Sequence, residues 1–237
     1  VDESLKGHLV RSLVQGGRDS VSAQAQLAAL LSYEDQDIDL SNAEREALLN
    51  SIHNCKILDP ACGSGAFPMG MLQKLLHIVQ KLDDKNEIFE RIQIAEAQNI
   101  TDRDERLKKI EKIGRDFAED NVNYARKLYL IENCLYGVDI QPIAIQISKL
   151  RFFISLICDQ KTNKDKGKNH GVEALPNLET KIVAANTLIS LPDFSSEDLF
   201  LKQFTQPIEK KIEEAYHRYF SVQDRQKKLK IQNELNA

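Results

Sequence analysis

The chain has 237 residues, of which 42% are hydrophobic and 29% are charged, a composition typical of a soluble globular protein with one or two domains. No apolar run approaches the ~18 residues that a membrane span requires, and the first residues lack the basic and apolar regions of a secretory signal. The formal net charge of −4 argues against a self-sufficient nucleic-acid-binding domain, which needs a basic face. Because the chain starts with Val1, we expect it to be a piece of a longer protein.

Residues 1–55 are predicted to form a helical segment ahead of the first strand. Within it, Ser41 and Glu44 have the spacing of a capping box, and apolar residues recur at helical spacing after them. Lys56–Asp59 is a short apolar run that ends in a carboxylate, which indicates a buried strand. A glycine-containing turn follows, and residues 67–82 have the apolar period of a helix.

The following segments continue the alternation of helix and strand. Residues 83–133 are highly charged and predict a helical insert, and Leu135–Ile140 predicts a second buried strand. Pro142 suits the first turn of the next helix. Five apolar residues at helical spacing are predicted to be the buried face of that helix: Ile143, Ile147, Leu150, Ile154 and Ile157. Lys181–Asn186 predicts a third strand.

Two polar segments complete the chain. Residues 160–178 contain four lysines, and a solvated loop is favoured there over a contact with DNA phosphates: Lys161, Lys164, Lys166 and Lys168. Residues 201–237 predict a C-terminal amphipathic helix, which we expect to pack on its own parent protein rather than on a partner.

This order of elements is typical of the α/β class and of the start of a doubly wound parallel sheet. Residues 56–200 are the predicted core, and the helical insert lies within it. The strands are followed or ended by Asp59, Asp139 and Asn186. Because ligands of such sheets bind beyond the carboxyl ends of the strands, these side chains are expected to converge on one crevice.

The segment Asp59–Phe67 has the features of a site for an amino-acid zwitterion. Gly63 and Gly65 allow positive φ and let a ligand approach the backbone, so that a side chain at Gly65 is expected to collide with the ligand. The amino end of the helix that follows suits a carboxylate, and Asp59 suits an ammonium group. The methionine end of S-adenosylmethionine carries both groups. A dinucleotide site is disfavoured because Pro68 stands where its pattern needs Gly or Ala.

The sequence of residues 59–67, DPACGSGAF, resembles the first motif of adenine-N6 DNA methyltransferases. Residues 135–156 resemble their second motif, in the long form found in large single-chain type IIG restriction-modification and phage-exclusion enzymes. The resemblance covers roughly residues 50–190 and implies a truncated class I S-adenosylmethionine-dependent methyltransferase core of Rossmann-like topology.

The resemblance implies contacts with S-adenosylmethionine for eleven residues: Asp59, Pro60, Ala61, Cys62, Gly63, Ser64, Gly65, Phe67, Asp139, Ile140 and Asn186. Asp59 and the Gly63–Gly65 backbone hold the methionine part, and Phe67 lines the pocket. Asp139 accepts hydrogen bonds from the ribose hydroxyls, Ile140 packs against the adenine ring, and Asn186 meets the adenine amino group. A plain helix cap is the alternative for Asp139, and a turn residue is the alternative for Asn186.

The catalytic motif of this family is Asn or Asp followed by Pro-Pro and an aromatic residue, which hold the flipped adenine. None of the six prolines is adjacent to another, so no catalytic residue is predicted in this chain. We expect duplex DNA to be bound by further regions of the parent enzyme. The alternatives are a non-catalytic remnant and a methyltransferase that acts on a protein side-chain amide.

The cysteines and histidines carry no predicted chemistry. The four cysteines form no CxxC pair and have no histidine at metal-ligand spacing, so we expect no metal. Four cysteines in a chain without a visible signal are typical of reduced thiols in the cytoplasm.

Overall fold

The computed structural model describes residues 1–34, 36–118, 122–160, 169–170, 172 and 178–189. Val1–Thr187 form one compact unit and Leu188–Ala237 a second. The elements in chain order are α1 (Asp2–Gln15), α2 (Ser20–Leu31), α3 (Asn42–Asn54), β1 (Ile57–Asp59), α4 (Ala66–Leu82), α5 (Glu87–Gln98), α6 (Arg103–Ala118), α7 (Val122–Asn133), β2 (Leu135–Asp139), α8 (Pro142–Ile157) and β3 (Ile182–Ala184).

The three strands form one parallel sheet in the order β1-β2-β3. The register pairs Asp59 with Gly137 and Asp139 with Ala184, so the carboxyl ends of the strands lie at the same edge. Helices connect β1 to β2 and β2 to β3, because a parallel pair needs a crossover. The predicted α/β class is confirmed as a set of helices around a small parallel sheet.

Side-chain caps start two of the helices that precede the sheet. The Asp19 carboxylate accepts hydrogen bonds from the Val21 and Ser22 amides in the first turn of α2. At the start of α3, Ser41 and Glu44 form the predicted capping box. Caps of this kind typically contribute ~1 kcal/mol to stability.

A row of basic side chains on α4 binds the carboxyl end of α2. Lys74 Nζ donates to the Leu31 carbonyl at 2.8 Å. His77 Nε2 and Lys81 Nζ lie 2.8 and 2.9 Å from the Ser32 carbonyl. The last carbonyls of a helix have no partner within it and carry the negative end of its dipole. These contacts therefore attach the N-terminal helices to the helix that follows the glycine-containing turn.

The predicted insert at 83–133 consists of α5, α6 and α7. The Asp83 carboxylate caps α5 by accepting hydrogen bonds from the Ile88 and Phe89 amides. The buried guanidinium of Arg126, on α7, donates to the Asp83 carbonyl. Since α7 ends two residues before β2 begins, this packing also sets the start of the second strand.

α8 buries a different face from the predicted one. Its buried residues are Ile145, Ser148, Phe152 and Leu156. Four of the five residues predicted to be buried are between 43% and 67% exposed: Ile143, Ile147, Leu150 and Ile154. The helix is apolar on both faces, so its periodicity does not decide which face packs. The face with the small residue Ser148 packs because it allows close approach to the turn after β1.

Some predictions concern residues outside the described part of the chain. These are the lysine-rich segment 161–168 and the C-terminal helix at 201–237. The described helices include none that combines the length and the apolar character needed to cross a membrane.

An ion pair joins the start of α2 to the start of α3. The Arg18 guanidinium donates to both carboxylate oxygens of Glu44. These hydrogen bonds, followed by those from Ser41, lower the pKa of Glu44 from 4.5 to about 2. A carboxyl group with a lowered pKa stabilises the folded state above its ordinary pKa, and this contribution disappears as the pH falls through the lowered value.

We expect Glu44→Gln to weaken the dependence of the free energy of unfolding on pH between about pH 4.5 and about pH 2. Urea unfolding at several pH values in this window measures the effect. Glu46→Gln is the matched control, because Glu46 on the same helix forms an exposed ion pair with Arg91. An unchanged pH dependence in Glu44→Gln contradicts the prediction.

Candidate functional site

The turn after β1 is built on two glycines in the left-handed region of backbone conformation. Gly63 has φ +52° and Gly65 has φ +84°, as the sequence predicts. Asp59 Oδ1 accepts a hydrogen bond from the Ala61 amide at 3.1 Å. Among the described residues Asp59 Oδ2 has no hydrogen-bond partner. The turn ends at Ala66, the first residue of α4.

Close packing against α8 explains the glycine at position 65. A Cβ atom on Gly65 lies 2.3 Å from Ser148 Oγ and 3.3 Å from Ser148 Cα, so a side chain there collides with α8. A Cβ atom on Gly63 meets nothing within 4 Å. The sequence predicts that a ligand excludes a side chain at Gly65, whereas in the folded chain the obstacle is Ser148. The open space lies at Gly63.

Asp139, at the end of β2, joins the first two strand-end loops. Its Oδ2 accepts a hydrogen bond from the Gly63 amide at 2.9 Å, and its Oδ1 accepts one from the Gln141 amide at 2.8 Å. Gln141, rather than Asp139, is the N-cap of α8, and no side chain caps that helix, so Asp139 forms a turn ahead of the helix and the capping alternative is wrong. Each carboxylate oxygen has two lone pairs. Asp139 therefore positions the loop and keeps one acceptor position on each oxygen.

The loop after β3 is tied to the other two loops. The Ala185 amide donates to the Asp139 carbonyl at 3.0 Å, and the Thr187 hydroxyl donates to the Pro60 carbonyl at 3.1 Å. Asn186 lies between these two anchors and is exposed at the same edge. The sequence does not identify Thr187 as a site residue, because its partner lies 127 residues away and no spacing pattern reveals the contact.

The apolar residues predicted for the site differ in accessibility. Phe67 is 36% exposed and Ile140 is 63% exposed beside the strand-end loops.

Cys62 is buried, and a Cβ atom on Gly137 would lie 2.9 Å from its Sγ. Burial, together with two nearby carboxylates, raises the pKa of the Cys62 thiol. Cys62 thus contributes packing and backbone rather than a thiolate.

A cation from α8 also reaches the turn. Arg151 Nη1 donates to the Ser64 carbonyl at 3.3 Å, a contact that the sequence does not predict because Arg151 lies well inside a helix. Ser64 is half-buried, and Pro60 and Ala61 are exposed. Residues 59–65 are therefore held by Asp139, Thr187 and Arg151 from three sides while part of their backbone stays accessible.

A separate cavity of about 540 Å³ lies among α1, α2 and α3. Its walls include Arg18 and Glu44, which are paired with each other. None of the residues at the strand ends lines it. The convergent polar groups with remaining hydrogen-bonding capacity lie at the carboxyl edge of the sheet, and this edge is the candidate site.

We expect Gly65→Ala to destabilise the chain more than Gly63→Ala. Both substitutions place a side chain at positive φ, which costs roughly 1–2 kcal/mol. Only Gly65→Ala adds an overlap with Ser148, at roughly 1–3 kcal/mol for overpacking. Urea unfolding at neutral pH measures both, and Ser148→Ala is expected to reduce the excess cost at position 65. Equal destabilisation by the two glycine substitutions is the opposing result.

Comparison with known proteins agrees with the motifs. Residues 133–235 match the family model described as Eco57I restriction-modification methylase. A putative type II restriction enzyme and methyltransferase from Methanocaldococcus jannaschii is 31% identical over 167 residues, which are 70% of this chain and 11% of that relative. No solved structure matches. The resemblance to restriction-modification methylases is confirmed: the chain is similar to part of such an enzyme and spans 11% of the length of the relative it matches.

Proposed function

We propose that the chain is the S-adenosylmethionine-binding part of a site-specific DNA adenine-N6 methyltransferase in a restriction-modification or phage-defence system. The main support is that hydrogen bonds join the three strand-end loops to one another. Asp139 accepts one from the Gly63 amide, and Thr187 donates one to the Pro60 carbonyl. In open parallel sheets this edge is where ligands bind. The match to a restriction-modification methylase supports methyl transfer as the reaction of the parent enzyme. S-adenosylmethionine, when bound, supplies the methyl group.

The turn after β1 suits the amino-acid end of the cofactor. Asp59 Oδ2 is an available acceptor for an ammonium group. The first amides of α4, at Ala66 and Phe67, have no partner within the helix and lie at the positive end of its dipole, so they suit a carboxylate. The open space beside Gly63 allows a ligand to reach the backbone of the turn.

The ends of β2 and β3 suit the nucleoside end. Asp139 retains one acceptor position on each oxygen, and the ribose offers two hydroxyl donors. The exposed side chain of Ile140 offers an apolar surface for the adenine ring, and Phe67 offers one for the pocket wall. We assign Asn186 to the adenine amino group, since it follows β3 at the same edge.

We assign duplex-DNA recognition and base flipping to other regions of the parent enzyme. The chain has no adjacent prolines and therefore no Pro-Pro-aromatic segment to hold a flipped adenine. Its net charge of −4 provides little attraction for DNA phosphates. The chain spans 11% of the length of the relative it matches. We expect the parent enzyme to act on DNA in the cytoplasm.

We expect Asp139→Ala to weaken the binding of S-adenosylmethionine about 10- to 150-fold. This corresponds to a loss of roughly 1.5–3 kcal/mol of charge-assisted hydrogen bonding, and the released Gly63 loop adds to it. Titration calorimetry on the full chain measures the affinity. Asp102→Ala is the matched control, because Asp102 also accepts a backbone hydrogen bond at a helix start, from Glu105 at 2.8 Å.

Thermal unfolding of both variants distinguishes a loss of affinity from a loss of folding. If Asp139→Ala is folded and binds the cofactor as tightly as wild type, the ribose assignment is wrong. Failure of the wild-type chain to bind S-adenosylmethionine at all overturns the proposed function.

We also expect the chain alone to bind the cofactor without transferring methyl groups to DNA. Methylation of an exocyclic amine needs acceptors aligned on that amine and an aromatic ring on the flipped base. The measurement is a tritiated-methyl transfer assay on unmethylated genomic DNA with the chain purified from a host that lacks its own methylases. Sustained turnover that scales with chain concentration contradicts the assignment of catalysis to other regions.

A further inference from the structure

Two cysteines lie side by side at the amino ends of β1 and β2, opposite the candidate site. Cys55 is the C-cap of α3, two residues before β1, and Cys134 immediately precedes β2. The Ile57 amide donates to the Cys134 carbonyl at 2.7 Å, so the backbone pairing of the two strands extends to this point. The pair therefore lies at the edge of the sheet opposite the strand-end loops.

The two buried cysteines meet at one backbone carbonyl, that of Ile52. Cys134 Sγ lies 3.5 Å from the Ile52 carbonyl, and the Cys55 amide donates to that same carbonyl at 3.2 Å. Cys55 is 6% exposed and Cys134 is 0% exposed, and both are reduced.

The surroundings make the two sulfur atoms chemically unequal. The neighbouring Cys134 thiol and the nearby Lys56 ammonium lower the pKa of Cys55. The Lys56 ammonium is held in place by the Asn133 carbonyl at 2.6 Å. The neighbouring Cys55 thiol, together with burial, raises the pKa of Cys134. Since the thiolate is the reactive form, this difference favours Cys55 as the nucleophile and Cys134 as the resolving thiol.

The other two cysteines are differently placed. Burial, followed by two nearby carboxylates, raises the pKa of Cys62, and Cys158 is exposed. Metal binding is a poorer explanation for the pair, because the described residues contain no cluster of three or more His, Cys, Asp or Glu side chains arranged around a metal. Two neighbouring thiols without further ligands are suited to disulfide formation.

We propose that Cys55 and Cys134 are a redox modification site, a dithiol that a small hydroperoxide converts to an intrachain disulfide. In the first step the Cys55 sulfur attacks hydrogen peroxide and becomes a sulfenic acid, and one water is released. In the second step the Cys134 thiol attacks that sulfur, the new S–S bond forms, and the sulfenic hydroxyl leaves as water with the Cys134 proton. Overall, two thiols are oxidised and one peroxide is reduced to two waters.

The disulfide would join residues 55 and 134 and enclose β1, the glycine-containing turn and α4 to α7. A loop of this length restricts the unfolded chain strongly, and the strands already hold the two ends together in the folded state. We expect oxidation to raise the Tm by about 10 °C. Because the pair lies at the opposite ends of the strands from Asp59 and Asp139, cofactor affinity should be unchanged. The inference is independent of the proposed function.

The test treats the fully reduced chain with hydrogen peroxide, followed by thiol alkylation under denaturing conditions and peptide mapping. The expected products are a monomer that has lost two hydrogen atoms, two remaining alkylatable thiols out of four, and a linked peptide pair containing Cys55 and Cys134. Cys55→Ser and Cys134→Ser should each abolish the linkage and the rise in Tm. Cys158→Ser, the matched control, should retain both.

Two results would overturn the proposal. One is recovery of Cys55 and Cys134 as free thiols after peroxide has oxidised Cys158, which shows that exposure alone governs the reaction. The other is accumulation of sulfinic acid on Cys55 without the disulfide, which shows that Cys134 does not resolve the intermediate. Both are read from the wild-type chain, so they do not depend on the folding of the serine variants.

Discussion

The Asp139 carboxylate accepts backbone hydrogen bonds from two loops, and the geometry of the strand-end edge depends on it. One bond reaches Gly63 after β1, and the other reaches Gln141 at the start of α8. The Asp139 carbonyl also binds the Ala185 amide after β3. One residue thus holds three segments that are separated by more than forty residues in sequence. A hydrogen bond from a backbone amide to a carboxylate is short and strong, which suits this role.

Small residues allow the elements to approach closely enough for these bonds to form. Gly65 packs against Ser148 of α8, and Gly137 of β2 packs against Cys62. A larger side chain at either glycine would push apart the segments that Asp139 joins. The same requirement explains why α8 buries the face with Ser148 and leaves its second apolar face exposed.

The two ends of the strands have different chemistry, although the strands are only a few residues long. The carboxyl ends present carboxylates, helix amino ends and accessible backbone. The amino ends present a buried pair of thiols, Cys55 and Cys134. Between them, α4 connects the turn to the N-terminal helices through Lys74, His77 and Lys81. The turn is therefore supported both by the sheet and by a helical layer on the far end of α4.

Local patterns in the sequence determined the helices and strands and placed the candidate-site residues at the strand ends. The apolar runs that end at Asp59 and Asp139, the glycines at positive φ and the capping box at Ser41 were all predictable, because each follows from backbone preferences within a few residues. Only the tertiary structure decided contacts between distant segments. The neighbours of Gly65, Thr187 and Cys55 lie 79 to 127 residues away in sequence. The neighbour of Gly65, Ser148, also lies on a helix with two apolar faces. Periodicity cannot select among such partners, because the choice depends on which side chains are small enough to let two backbones meet.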